Sequence, residues 1–264
     1  STHSESMGSD KSRQSLVVPE DAIRETCGET PLPELGVIEQ VWKTDPIPGE
    51  EIPERAAAAV KSLAFDDVPD GGEVALGAGS RGIANLPQIV SGVVAGVEEL
   101  GYEPFVFPAM GSHGGATAEG QREMLAELGV TQSSVGCEIR SSMEVFEVGR
   151  TPERDVPVVC DAHAAEADAI VPINRIKAHT DFDGPVESGL SKMIVIGMGK
   201  QRGAKIAHDR AVDWSLRNML PEITSQLLAE LPVVGGVAIL EDQRDETTHI
   251  EGIQPDVFLD REAE

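Results

Sequence analysis

The sequence predicts an α/β protein, a mostly parallel sheet with helices on both faces. Three observations predict it. Short apolar segments of strand length alternate with longer amphipathic ones. Two successive strand-like segments, at 73–76 and 104–107, each run into a glycine-rich loop, and a helical pattern opens after each loop. Strand, glycine loop, helix, twice over, requires parallel strands joined by right-handed crossovers. In such sheets ligands bind outside the carboxyl ends of the strands, where these loops lie.

The elements follow in order. Residues 1–20, beginning STHSESMGSDKSRQS, are polar and lack the apolar stretch of a secretory signal, so a disordered arm is expected there and the α/β domain over 21–264. Residues 37–42 alternate as a strand does. A turn-rich link, DPIPGEEIPE, leads to a helix at 54–63 with its AAAAV run. Residues 73–76 form the next strand and end in Gly77-Ala78-Gly79-Ser80-Arg81-Gly82. Asn85 caps a helix to Leu100, with Pro87 in the first turn and Gly101 at the end. A strand at 104–107 ends in Met110-Gly111-Ser112-His113-Gly114-Gly115, and Thr117 opens a helix that Gly129 stops. Further strands are expected at 145–148, 156–159, 169–173 and 233–240, and helices at Ala162–Glu166 and 214–231.

Composition narrows the function. There are 46 Asp+Glu against 21 Lys+Arg, a formal net charge of −25. That field repels phosphate backbones and excludes a general nucleic-acid binder. No apolar run approaches the ~20 residues of a membrane helix, so no membrane span is expected. Arginines outnumber lysines, 14 to 7; low lysine and a large acidic excess point to a halophilic protein that must stay hydrated in high salt. Cys27, Cys137 and Cys160 are far apart with no CxxC, which fits a cytoplasmic, reducing location and buried small hydrophobes.

Chemistry concentrates in NRIKAHTDFDGPVESGLSKMIVIGMGKQRGAK, residues 174–205. Four of the seven lysines, Lys177, Lys192, Lys200 and Lys205, lie here with Arg175 and Arg202. Against Asp181, Asp183 and Glu187 the local balance is +3, so the rest of the chain carries −28. An anionic ligand is a physical reason for that arrangement, and interleaved glycines let backbone N–H groups approach an anion. Of six histidines, His113, His179 and His208 lie in or just after glycine-rich or basic loops, whereas His3, His163 and His249 do not. Imidazole suits proton transfer and metal ligation. No HExxH or HxH pair, no GxxxxGK[ST] and no GxSxG is present, which disfavours zinc hydrolysis, P-loop chemistry and serine hydrolysis.

GSRGIANLPQIV, PAMGSHGGATAEGQ, RSSMEV, NRIKAHTDFDGPVESGLSKMIVIGMGK and the VAILEDQRDET region resemble the lactate racemase family, over roughly residues 35–260. The resemblance implies a nickel-pincer nucleotide, a pyridinium mononucleotide with two sulfur arms that hold nickel. It also implies hydride removal from a hydroxyl-bearing carbon and return to the opposite face, in a 2-hydroxy acid or related compound. Carried over, Lys192 is the cofactor tether and His208, 16 residues later, the nickel ligand. His113 and His179 are the acid–base pair. Arg81 and Lys177 bind substrate, and Lys200, Gly197 and Gly199 hold the cofactor phosphate. The acidic residue that precedes the substrate arginine in the racemases is missing from Gly77-Ala78-Gly79-Ser80, so lactate itself is not implied. The family's active cleft lies between two domains, and a C-terminal domain or a second copy is expected to complete it. The rival expectations are a non-catalytic binder of an anionic nucleotide or cofactor and a metal-dependent hydrolase.

Overall fold

The computed structural model describes residues 20–28, 36–39, 41, 43–80 and 82–264, in two compact units, Ser1–Lys43 and Thr44–Glu264. Among its described residues the first unit holds one helix, α1 (Glu20–Cys27). The arm expected over 1–20 lies outside the described residues up to position 19. The strand expected at 37–42 does not form among the described residues: Val37, Ile38 and Val41 are exposed, while Gln40 and Trp42 lie outside the description. Alternation supplies only propensity, and a strand exists where a ladder is made. Cys27 is exposed, against the expectation of burial, whereas Cys137 and Cys160 are buried.

In the second unit, α2 (Ile52–Lys61) precedes β1 (Glu73–Ala78), α3 (Leu86–Glu99) and β2 (Glu103–Pro108). Then come α4 (Ala118–Glu127), α5 (Gln132–Val135), β3 (Glu138–Ile139), β4 (Val145–Arg150), β5 (Pro157–Asp161), α6 (Ala162–Glu166) and β6 (Ala169–Arg175). The chain ends with α7 (Leu190–Lys192), α8 (Lys200–Trp214), α9 (Leu216–Glu230), β7 (Gly236–Glu241), β8 (Thr247–Ile253) and α10 (Phe258–Ala263). One six-stranded sheet has the order β3-β2-β1-β6-β7-β8. All neighbours are parallel except β7 and β8.

Both faces of this sheet are covered, which is why the central strands read as unbroken apolar runs. From β1, Val74, Leu76 and Ala78 enter the core beneath α2 and α3, and Ala75 enters the core shared with α8 and α9. Gly92 sets the α2–α3 spacing, since a Cβ there would sit 2.3 Å from the carbonyl oxygen of Pro53.

Four expectations need correction. The strands at 145–148 and 156–159 form a separate antiparallel hairpin, β4–β5, outside the main sheet. The helix expected at 214–231 is broken at Ser215 (φ 61°), and Trp214 belongs to a preceding helix that the sequence did not reveal. Asn85 occupies the residue before α3 but does not cap it. It takes a left-handed conformation (φ 56°) and its amide donates to the Thr247 hydroxyl at 3.0 Å. The last parallel strand is the shorter Gly236–Glu241, with Val233 making only an isolated bridge to Ile170. The Thr117 cap holds: its hydroxyl accepts from Gly120 N at 3.1 Å.

The strand order creates a topological switch point. After β1 the chain crosses to β2 on one side, and β6 lies on the other side of β1. The helix after β1 and the helices after β6 cover opposite faces. A crevice at the carboxyl ends of β1 and β6 is where such sheets bind ligands.

Candidate active site

Four segments meet at that crevice. Ser80 leaves β1 and His113 leaves β2, and the Ser80 hydroxyl lies 2.5 Å from His113 Nδ1. The two glycine loops therefore open on the same edge. Arg81 lies outside the described residues. Gly79 has no side chain for a local reason: a Cβ there would meet Asn174 Oδ1 at 2.9 Å and Met193 Cε at 3.0 Å. Asn174, at the end of β6, donates to the carbonyl of Gly189 at 2.9 Å. Between Gly189 and Met193 runs α7, which carries the half-buried Lys192. The far end of the β1 loop is anchored by Glu241 of β7, which accepts from Ala84 N at 2.6 Å and pairs with Arg175.

Behind α7, Glu262 accepts from Ser191 N at 2.7 Å and from the Ser191 hydroxyl at 2.6 Å. Burial raises the Glu262 carboxyl above the ordinary range, and the two bonds from Ser191 oppose that rise. Sequence reasoning missed Glu262, because nothing in DREAE marks it as buried.

Lys200 corrects an expectation. It has no exposed surface. Its ammonium donates to the carbonyl of Pro108 and to Gln121 Oε1 at 3.0 Å, and lies 3.1 Å from Asp161 Oδ2. A side chain enclosed in this way does not reach a cofactor phosphate at the surface. Burial lowers its pKa, and the Asp161 carboxylate partly restores it. Gly197 and Gly199 likewise serve backbone packing. A Cβ would lie 2.6 Å from Ala109 O at the first and 2.7 Å from Val195 O at the second. Gly197 O also accepts from Gly111 N at 3.0 Å, which ties it to the His113 loop.

His179 lies beyond β6 in a loop shaped by Glu187, which accepts from His179 N at 2.5 Å and from Gly184 N at 3.2 Å. The bond from His179, then that from Gly184, holds the Glu187 pKa below the usual carboxylate range. Asp181 N donates to His179 Nδ1 at 3.0 Å, so the neutral ring carries its proton on Nε2. The ring packs on Phe182 at 4.5 Å between centroids. Lys177 is exposed, and its backbone pairs with Ser188.

His208 is exposed on α8. Ala204, one turn earlier on the same stripe, lies 3.8 Å from a Cβ position on Gly111. Among the described residues no group of three or more His, Cys, Asp or Glu has metal-binding geometry.

A cavity of about 590 Å³ is lined by Lys177, Glu187, Leu240, His249, Glu251 and Arg261. Its size is typical of small-molecule sites. Glu251 is brought to a pKa of about 2, first by the Arg261 guanidinium and then by His249.

The fold defines an α/β protein with a mostly parallel six-stranded sheet and two glycine loops at the carboxyl ends of neighbouring strands. No protein-family model and no curated protein matches the chain. Among solved structures it is similar in fold to the lactate racemase apoprotein from Thermoanaerobacterium thermosaccharolyticum, at 11% identity and a TM-score of 0.49. That match covers 79% of this chain and 54% of the other, so the chain spans about half the length of that structure. No helix among the described residues is long and apolar enough to cross a membrane.

Proposed function

We propose that this chain carries the cofactor site of a racemase or epimerase that inverts a hydroxyl-bearing carbon in a 2-hydroxy acid or related compound. The observation that carries the reading is the meeting of the Ser80–His113 pair with the α7 turn bearing Lys192, at the switch point of the sheet. His113 and Lys192 are also among the residues that the sequence motifs single out.

The donor set fits a nickel-pincer nucleotide in kind. A metal held by protein alone needs about three or four ligands. A nickel ion held by an organic pincer would take fewer ligands from the protein, and His208 would supply an imidazole to it. Lys192 offers the amine for a covalent tether. When bound, the nucleotide supplies the hydride acceptor. This chain's own groups do the rest. Ser80 engages His113 at Nδ1, so proton exchange with the substrate hydroxyl falls to Nε2. The backbone N–H of Asp181 donates to His179 Nδ1, which leaves the proton of that ring on Nε2. Two such groups are what a two-sided inversion needs, one for each enantiomer. Arg81 and Lys177 bind the carboxylate.

The test is expression together with the enzymes that make the cofactor, followed by intact-protein mass, nickel content and enantiomer exchange on a panel of 2-hydroxy acids. A mass adduct on the Lys192 peptide with bound nickel is expected. It should vanish in Lys192→Ala and in Lys192→Arg, since guanidinium is not a substitute amine nucleophile. Nucleotide binding without exchange would favour a non-catalytic binder. Absence of both adduct and nickel from the folded wild type would refute the reading.

A further inference from the structure

We infer that Lys200 and Gln121 form a buried relay that positions His113, by fixing the carbonyl groups of the loop that carries it. The inference rests on the acid–base role proposed above for His113. The loop needs such support. Gly111, Gly114, Gly115 and Ala116 all have positive φ, at 59°, 64°, 64° and 55°. A segment leaving a sheet has no ladder to satisfy its carbonyls. Here Gln121 does so, although it has no exposed surface. Its Nε2 donates to Gly111 O at 2.9 Å and to His113 O at 3.3 Å.

Lys200 dictates which way that amide faces. An ammonium only donates, so it binds Gln121 Oε1 and turns Nε2 toward the loop. The same ammonium donates to Pro108 O, where the loop begins. Carbonyls of residues 108, 111 and 113 are thereby tied to one buried charge, which Asp161 neutralises. Lys200 itself holds φ 54°, outside the region favoured by side-chain-bearing residues. Such a conformation persists where the surroundings over-determine it, and here it sits at the start of α8 with the ammonium enclosed.

The experiment reads the His113 ring in cofactor-free protein, by ¹⁵N-histidine NMR above the imidazole titration range. The variants are Gln121→Met, which removes the amide, and Gln121→Glu. The second keeps length and the Lys200 contact but presents oxygen to the loop carbonyls. In the wild type His113 should show one tautomer. In each variant that folds, that signature should be lost while the remote His249 is unchanged. A folded variant with an unaltered His113 would overturn the relay. Failure of both variants to fold would also overturn it, because a positioning role predicts an intact sheet with a displaced loop. Neither result depends on cofactor, so lack of an adduct on Lys192 would defeat the isomerase reading while leaving the relay standing.

Discussion

Replacing Asp161 by Asn should destabilise the protein more than any surface change, and the structure sets the scale. Asp161 and Lys200 both have no exposed surface and stand 3.1 Å apart. Asp161 Oδ2 makes no aligned hydrogen bond, so the contact is chiefly electrostatic. Asn keeps the cap on α6, where Asp161 Oδ1 accepts from Ala164 N at 3.1 Å. What is lost is the counter-charge. Breaking a buried pair from one side costs about 3–5 kcal/mol, because the other charge is left uncompensated. At roughly 2–4 °C per kcal/mol for a domain of this size, the melting temperature should fall by about 6–20 °C. The loss should depend on pH. The Lys200 pKa is already below its ordinary 10.5, chiefly through burial, and removing Asp161 lowers it further. Between that folded value and 10.5 the unfolded chain binds more protons, so stability rises with pH across the window. The window is wider in the variant, so its deficit should shrink toward the alkaline end. The double variant Lys200→Met with Asp161→Asn should cost less than the two singles added together. Urea unfolding of the four proteins at several pH values measures all of this. Additive losses, or a deficit independent of pH, would refute the reasoning.

Three further outcomes follow. Ser80→Ala should leave the fold intact and lower enantiomer exchange by up to about 100-fold through misorientation of His113, and it should release the ring tautomer in NMR. Glu262→Gln should show its largest stability deficit near pH 4.5 and a smaller one at higher pH. The folded carboxyl binds its proton more tightly than the unfolded one, so wild-type stability from this group is lost as pH rises through the raised pKa; a pH-independent deficit would count against burial as the cause. With a net charge of −25, the melting temperature should climb with added KCl as screening shortens from ~30 Å at 0.01 M to ~3 Å at 1 M, and a flat salt response would remove the case for a halophilic protein.

The parallel core was legible because its strands are buried on both faces. Residues 73–76 and 104–107 read as apolar runs leading into glycine loops, and they lie within neighbouring parallel strands with the loops on one edge. Elements stabilised by small residues were not legible. Helix α8 buries Lys200, Gly203, Ala204, Ala207 and Trp214, so no stripe of large apolar side chains announces it. The β4–β5 hairpin shows the reach of local pattern: its strands were expected, but nothing local says that they pair only with each other. The burial of Gln121, Lys200 and Glu262 falls outside sequence reasoning for a related reason. Such residues are mostly exposed, and only the tertiary structure supplies the partners that let them be buried.

The glycines and the basic cluster of 174–205 show how one signal can have two causes. Glycine lets a backbone approach an anion, and it equally lets a backbone approach another backbone. Gly197 and Gly199 are of the second kind, packed against Ala109 and Val195. Three of the six basic residues are paired with carboxylates of the protein itself: Arg175 with Glu241, Lys200 with Asp161, and Arg202 with Glu147. The local excess of positive charge therefore cannot be credited whole to a ligand. Lys177, beside the His179 loop, and Lys205, on α8, are the exposed lysines of this stretch. The case for the crevice thus rests less on charge than on the convergence of Ser80, His113, Asn174 and α7 at the switch point, which packing alone does not require of a serine and a histidine held 2.5 Å apart.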